Sequence, residues 1–298
     1  GGIVHETRAL WLNPNSYLTK KDIETVVERA DAAGLNMIVA DIFVRSTLIA
    51  KSDLFQMHSK VEQGLDPLAC LIEKAHGKGI EVHPWFCVTY RDQAIRKKLP
   101  GVDVINKDGK VEELPADVHR PEYRDFIVKL MTGVARDYNV DGIHLDYIRA
   151  MEKCYCGKCK EEFQRQFSKP LTGATDDDWI KWQREAIGDI VRRTAEGVKA
   201  VKPRAMMSAA VFSNLHGGAL QGQDPADWAK KGWIDIVMPM DYNMDTLSVR
   251  NTEKEFLDIL DDDNKLVTGL SLYMRSGAMT LNRSPVLVKQ QIQMVRRL

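Results

Sequence analysis

The sequence has no long apolar stretch and no excess of charge of either sign. No apolar run approaches the roughly 20 residues that a helix needs to cross a bilayer. The opening residues GGIVH show neither the charged nor the apolar segment of a signal peptide. The 42 basic and 42 acidic residues cancel, so no overall field favours nucleic acid or an anionic membrane surface as a partner. The composition is that of an ordinary globular protein.

Several motifs of other enzyme classes are missing as well. The stretch GGALQG at 217–222 is too loosely patterned for a phosphate-binding loop, and no serine nucleophile elbow is present. Five cysteines do not make a disulfide framework in a chain of 298 residues. Three of them, Cys154, Cys156 and Cys159, lie within six residues and need an explanation of their own.

Short apolar runs alternate with amphipathic helical periods along the chain. This alternation predicts a parallel sheet, and seven consecutive βα units favour a (β/α)8 TIM-type barrel over an open doubly wound sheet. The chain stops where strand eight would begin, so we expect one barrel domain over residues 1–298, truncated at its C-terminal end. Residues 90–119 are predicted to be a long polar loop that serves as a lid. The predicted strands are residues 8–12, 36–44, 80–88, 142–147, 205–212, 234–240 and 266–272.

Two of these runs stop on an aspartate that a tyrosine follows, Asp146 in HLDY and Asp241 in MPMDY. Barrels place catalytic groups at the carboxyl ends of their strands, and glycoside hydrolysis requires two carboxyl groups. The neighbours of Asp146 can hydrogen-bond a carboxylate and hold its pKa low, whereas Pro239 and Met240 give Asp241 an apolar setting that raises its pKa. We therefore predict a glycosidase with Asp146 as nucleophile and Asp241 as general acid/base.

Other side chains at the same predicted rim are candidates for sugar binding. Aromatic faces stack on sugar rings, while carboxylate and guanidinium groups hydrogen-bond the hydroxyls. Two alternatives stay open: the tryptophans belong to the core, and the histidines are structural. Metal-assisted hydrolysis at His83, His144 and Asp41 is disfavoured, since these residues lack ligand spacing. The candidates are Arg8, Trp11, Asn13, Asp41, Arg45, His83, Trp85, His144, Tyr147, Tyr242 and Tyr273.

Five motifs follow one another along the chain: ETRALW at 6–11, DPL at 66–68, IEVHPWF at 80–86, DGIHLDY at 141–147, and the segment 228–235. In these motifs and their order the chain resembles the glycosyl-hydrolase-like family ten of bacterial barrel proteins. The resemblance implies a (β/α)8 barrel that acts on a bacterial or plant polysaccharide or oligosaccharide. It also implies a location outside the cytoplasm and catalysis without a cofactor.

The chain departs from that family's pattern at two positions. Tyr147 stands where the family usually has a second aspartate, and Asp241 stands where the family has none. A strand-four and a strand-six aspartate together are similar to α-galactosidase-type barrels, which retain configuration. A similarity to family-eighteen chitinases is weaker, because Ile148 replaces their glutamate. The alternative to a glycosidase is a non-catalytic glycan-binding barrel.

The cysteine group has the spacing of a metal site. Three thiolates in Cys-x-Cys-x-x-Cys can surround one Zn²⁺ and leave a fourth tetrahedral position. The spacing is similar to the zinc cluster of family-forty-two β-galactosidases, in which an upstream cysteine completes the set. By that resemblance we expect a structural zinc ion on Cys87, Cys154, Cys156 and Cys159. Reduced, buried cysteines without a metal are the alternative.

Overall fold

The computed structural model describes residues 7–44, 47–90, 93–241, 245–260, 265–268, 273–276, 279–282 and 285–295. Its strands are β1 (Ala9–Leu12), β2 (Met37–Val44), β3 (Thr47–Leu48), β4 (Glu81–Cys87), β5 (Asp103–Ile105), β6 (Val111–Ala116), β7 (Gly142–Asp146), β8 (Met206–Phe212), β9 (Ile236–Met240), β10 (Tyr273–Ser276) and β11 (Met279–Asn282). Its α-helices are α1 (Lys20–Ala32), α2 (Pro67–His76), α3 (Gln93–Lys98), α4 (Pro121–Asp137), α5 (Gly157–Phe167), α6 (Asp176–Val201), α7 (Leu215–Leu220), α8 (Pro225–Lys230), α9 (Thr246–Ile259) and α10 (Pro285–Val295).

The main sheet is parallel and runs in the order β1-β2-β4-β7-β8-β9, with β3 antiparallel beside β2. The sheet is strongly curled. Side chains of Val39 on β2 and Met238 on β9 belong to one interior cluster, together with Trp11 and Trp85, although β2 and β9 are far apart in the strand order. A flat sheet would keep these side chains apart, so the sheet forms the wall of a partly closed barrel. The predicted barrel fold is confirmed.

Side chains alternate between the barrel interior and the surrounding helices. On β7, Ile143 and Leu145 pack in the large cluster beneath the helices, so the remaining side chains of the strand face the interior. Both faces are buried, which is why the parallel strands read as nearly continuous apolar runs. Gly142 opens β7 where a Cβ atom would overlap His83 Nδ1 and the carbonyl oxygen of Met206. Only glycine fits there without a shift of the neighbouring strands.

Side-chain caps fix the first turns of α1, α2 and α6. Thr19 accepts a hydrogen bond from the amide of Asp22 at the start of α1, and Asp66 accepts one from Ala69 at the start of α2. Thr175 and Asp178 form a reciprocal capping box at the start of α6. None of the described helices has the length and apolarity needed to span a bilayer.

Two sequence-based expectations differ from the structure. Residues 90–119 are not an irregular loop, because they contain α3 and the antiparallel hairpin of β5 and β6. The predicted seventh strand appears, in the described part of the chain, only as a single parallel bridge between Leu266 and Val237. Residues 269–272 lie outside the described residues, and Tyr273 opens β10, which pairs antiparallel with β11. No eighth parallel strand occurs among the residues that the structure describes.

Candidate active site

Asp146 ends β7 at the carboxyl end of the sheet and is held by its neighbours. It is 5% exposed, and the amide of Tyr147 donates a 2.7 Å hydrogen bond to its Oδ1. Tyr147 has a φ of 48°, a conformation that is strained for an aromatic residue. The hydroxyl of Thr89 holds Tyr147 in place by donating to its carbonyl oxygen at 2.8 Å. These contacts fix the direction of the Asp146 carboxyl group.

The charge of Asp146 differs from the sequence-based expectation. Burial raises the pKa of Asp146 to about 6, against the hydrogen bond from Tyr147 and the positive charge of Arg149. His144 does not support the carboxylate, because its Nδ1 shares a 2.9 Å hydrogen bond with the Ser208 hydroxyl. The prediction of a low pKa is therefore wrong, but Asp146 is still mainly ionised at pH 7.

A second carboxyl group, Asp41 on β2, lies close to Asp146. Asp41 pairs in register with Trp85 of β4, and two residues further along β4 Cys87 pairs with Asp146. Asp41 continues the interior series of Met37 and Val39 and is 4% exposed. Burial, followed by the negative charge of Asp146, raises the pKa of Asp41 to about 8, although the amide of Phe43 opposes the shift. At neutral pH the two groups are therefore one protonated acid and one carboxylate.

Two buried polar atoms in this region make no hydrogen bond within the protein: Asp41 Oδ1 and His144 Nε2. Their residues are aligned with Trp85 across the adjacent strands β2, β4 and β7, and the Trp85 side chain interacts with the Asp146 carboxyl group and lowers its pKa. An unsatisfied buried polar atom costs about 1–3 kcal/mol, so a group of them on neighbouring strands needs an explanation. Such groups are typical of a site whose hydrogen-bond partners arrive with a ligand.

Aromatic rings surround the carboxyl groups. The rings of Trp11 and Trp85 lie 5.6 Å apart, and Trp11 also lies 5.5 Å from His144. The guanidinium of Arg149 lies 4.6 Å from the ring centres of both Tyr147 and Phe212, an arrangement that holds its charge by cation–π contact. Sequence reasoning missed Arg149 as a site residue. Its position three residues after Asp146 was the available signal.

Other predicted site residues lie elsewhere. Arg8 is at the amino end of β1, as predicted, and its Nε donates there to the carbonyl oxygen of Gly34; its role in substrate binding stays a prediction. The Asn13 side chain caps the following 3₁₀ turn by accepting from the amide of Asn15. His83 is buried deeper than Trp85 and shares a 3.0 Å hydrogen bond with Glu81. Arg45 and Tyr242 lie outside the described residues.

Asp241 follows β9 and is fully buried. On that strand Met238 faces the interior and Val237 faces the helices. Asp241 comes after the last residue of β9, and its amide donates to the carbonyl oxygen of Pro239 at 3.1 Å. It contributes to a raised pKa of Glu253 on α9, which burial raises most. Asp241 is not among the charges that shift the pKa of Asp41 or Asp146. The pairing of Asp146 with Asp241 stays a prediction.

The three clustered cysteines lie close together, but Cys87 is not with them. Cys87 is buried in β4 next to Asp146, and burial and the charges of Asp41 and Asp146 raise its thiol pKa. The prediction of Cys87 as a fourth metal ligand is therefore wrong. Asp117, which follows β6, lies beside the three cysteines instead. One ligand atom each from Asp117, Cys154, Cys156 and Cys159 lies within 4.8 Å of all the others.

Comparison with known proteins decides the family. A family model described as Glycosyl hydrolase-like 10 matches residues 6–276. The chain belongs to this family. Among curated relatives of this Glycosyl hydrolase-like 10 chain is the glycosyl hydrolase YngK of Bacillus subtilis (strain 168), 24% identical over 257 residues, which are 75% of this chain and 49% of YngK. The chain therefore spans about half the length of this relative.

Solved structures support the same architecture for the Glycosyl hydrolase-like 10 chain. The PgaB (BpsB) glycoside hydrolase domain from Bordetella bronchiseptica matches with a TM-score of 0.78 at 11% identity, covering 98% of this chain and 91% of that domain. A GH42 β-galactosidase from G. stearothermophilus, solved as a catalytic mutant, matches with a TM-score of 0.70 at 14% identity, covering 97% of this chain and 49% of that enzyme. At these identities the likeness concerns the fold.

Proposed function

We propose that this chain hydrolyses glycosidic bonds in a polysaccharide or oligosaccharide. The observation that carries the proposal is the pair of buried carboxyl groups on β2 and β7, since burial raises the pKa of Asp146 to about 6 and that of Asp41 to about 8. Two carboxyl groups whose pKa values lie on opposite sides of neutrality supply the acid and the base of glycoside hydrolysis. Membership of a glycosyl hydrolase-like family supports the same chemistry.

In the proposed reaction, a carboxylate oxygen of Asp146 attacks the anomeric carbon. The bond from that carbon to the leaving oxygen breaks, and a protonated carboxyl group transfers its proton to the leaving oxygen. The same carboxyl group, now ionised, then removes a proton from water, which attacks the anomeric carbon and releases Asp146. Two displacements at one carbon retain its configuration, so the anomer first released should match that of the substrate.

Two residues are candidates for the proton donor. Asp41 is supported by its raised pKa and by its electrostatic interaction with Asp146. Asp241 is the donor predicted from the sequence, and its support is its place directly after a parallel strand of the barrel wall. We favour Asp41, because a donor and a nucleophile that act on one glycosidic bond must face the same cleft.

The surrounding side chains suit a sugar ring. The Trp11 and Trp85 rings offer apolar faces for stacking on sugar C–H groups. Asp41 Oδ1 and His144 Nε2 are buried polar atoms that can pair with hydroxyl groups. Arg149 adds a positive charge beside Asp146. No metal ion is proposed to take part in the hydrolysis.

Release of reducing ends from a panel of bacterial and plant polysaccharides tests the proposal. Asp146→Asn should lower turnover by about 10³-fold or more. The variant of the true donor should lose far more activity on poor leaving groups than on activated aryl glycosides, because only the poor ones need protonation. We expect this behaviour from Asp41→Asn and near wild-type kinetics from Asp241→Asn. The opposite result would assign the donor to Asp241.

The pH profile is a second readout on the same substrate. The value of kcat/KM should rise as Asp146 ionises near pH 6 and fall as Asp41 loses its proton near pH 8. In Asp41→Asn the upper limb should disappear while the lower limb remains. If wild-type protein binds glycans but releases no reducing ends from any member of the panel, the chain is a glycan-binding barrel and the hydrolase proposal fails.

A further inference from the structure

A buried cluster outside the active site joins two segments that are distant in sequence. Asp117 follows the β5–β6 hairpin, while Cys154, Cys156 and Cys159 lie where the loop after β7 enters α5. Asp117, Cys154 and Cys159 are buried and Cys156 is half-buried. Cys156 caps α5, and its sulfur accepts a hydrogen bond from the amide of Cys159 at 3.4 Å. Neither the hydrolysis nor the sugar-binding groups use these residues.

The separations of the side-chain atoms suit one small ion. Asp117 Oδ2 lies 3.3 Å from Cys159 Sγ and 3.7 Å from Cys156 Sγ. Around a tetrahedral Zn²⁺, with Zn–S of about 2.3 Å and Zn–O of about 2.0–2.2 Å, neighbouring ligand atoms lie about 3.5–3.8 Å apart. The observed spacing therefore needs only small side-chain adjustments to admit the ion.

The surroundings also suit a negatively charged metal site. Three thiolates and a carboxylate carry four negative charges, of which Zn²⁺ offsets two. Arg120 is buried beside the cluster, and its Nε donates to Asp117 Oδ2 at 3.0 Å while its NH2 lies 3.7 Å from Cys159 Sγ. The same guanidinium donates a hydrogen bond of 2.8 Å from Arg120 Nη2 to Glu162 Oε2. A positioned cation that contacts two ligands is the second shell that such a site requires.

We propose that Asp117, Cys154, Cys156 and Cys159 bind one Zn²⁺, which fixes the β5–β6 hairpin to the loop after β7. Four protein ligands leave no position for water, so the site is structural. A chain of hydrogen bonds leads from this hairpin to Asp146. The amide of Ala116, next to Asp117, donates to Thr89, Thr89 donates to Tyr147, and the Tyr147 amide donates to Asp146.

Metal analysis of the whole chain, purified under reducing conditions without chelators, tests the ligand set. We expect about one equivalent of zinc in wild-type protein. Asp117→Asn and Cys156→Ser should lose most of it. Cys70→Ser is the matched control, because Cys70 is a free cysteine on α2 outside the cluster. Cys87→Ser, which removes the ligand predicted from the sequence, should also keep the metal. Loss of zinc in Cys87→Ser with retention in Asp117→Asn would overturn the assignment.

Wild-type protein alone provides a measurement that does not depend on how variants fold. Replacement of zinc by Co²⁺ should give thiolate-to-cobalt charge-transfer absorption and the strong visible bands of tetrahedral cobalt. Absence of these bands, or less than about half an equivalent of zinc in fresh protein, would reject the site. A disulfide within the cluster would reject it as well. None of these readouts requires a substrate, so the metal proposal and the hydrolase proposal can fail separately.

Discussion

At the scale of single residues, the candidate site depends on two buried carboxyl groups, Asp41 and Asp146, whose pKa values burial raises to about 8 and about 6. The sequence places Asp146 at the end of a buried strand, and the structure has it there. Its pKa depends on how completely the surrounding strands exclude water, which a local pattern does not contain. Asp41 was predicted only as a sugar-binding residue, because a local sequence pattern does not show how deeply its carboxyl group is buried. It became a candidate for the acid only when β2 and β7 were placed on either side of β4.

The raised pKa of Asp41 predicts a measurable effect on stability. In the unfolded chain Asp41 ionises near its ordinary value of 3.8, but in the folded protein it does so only near pH 8. Folded protein therefore binds the extra proton between these values, and the contribution of Asp41 to stability falls as the pH rises through this window. Asp41→Asn removes the penalty, so its stability relative to wild type should improve by at least about 1 kcal/mol between pH 5 and pH 8.

Urea denaturation of both proteins at pH 5 and pH 8 measures this difference. Asp245→Asn is the control, because Ser248 hydrogen bonds lower the pKa of Asp245 and both its folded and unfolded forms are ionised above pH 5. Its difference from wild type should be the same at both pH values. An equally constant difference for Asp41→Asn would show that the pKa of Asp41 is not raised.

At the scale of secondary structure, strands in the barrel wall were predictable and the hairpin was not. The wall strands are buried on both faces, so nearly every position in them is apolar and the sequence shows a continuous apolar run. In β6 the first four residues, VEEL, are exposed or half-buried, and β5 has only three residues. Such strands carry no clear alternation. The hairpin depends on contacts outside itself, such as the hydrogen bond from the Tyr155 amide to the Ile105 carbonyl oxygen.

At the start of β7, the addition of a single methyl group should lower the stability of the protein substantially. A Cβ atom at residue 142 would overlap the His83 ring and the backbone of Met206 on the two neighbouring strands. Gly142→Ala should therefore destabilise the protein by about 2 kcal/mol or more, as overpacking of a rigid core does. Gly188→Ala on α6, where a Cβ meets nothing within 4 Å, is the control and should be neutral or stabilising. Thermal melts compare the two, and equal melting temperatures would contradict the packing of β4 against β7.

At the scale of the whole molecule, counting βα units was enough to predict the barrel, because parallel strands with helical crossovers have few other solutions. The proposed fourth metal ligand was not predictable in the same way. Asp117 reaches the cysteines through the path of the β5–β6 hairpin, while Cys87, the closer match in residue type, is held inside the wall by its register with Asp146. Residues that are distant in sequence, such as Asp117 and the cysteines, can be recognised as neighbours only from the three-dimensional structure.

Closure of the barrel can be tested through energetic coupling between distant strands. Val39 of β2 and Met238 of β9 share the interior cluster. Met238→Ala should cost about 2–5 kcal/mol, and the double variant with Val39→Ala should deviate from additivity by about 0.5 kcal/mol or more, since both changes enlarge one cavity. Val237 is on the same strand, but its side chain belongs to the outer cluster. The effects of Val237→Ala and Val39→Ala on the free energy of unfolding should therefore be additive. Free energies of unfolding for the two cycles decide the matter. Additivity in both would mean that the interior faces of β2 and β9 do not meet in solution.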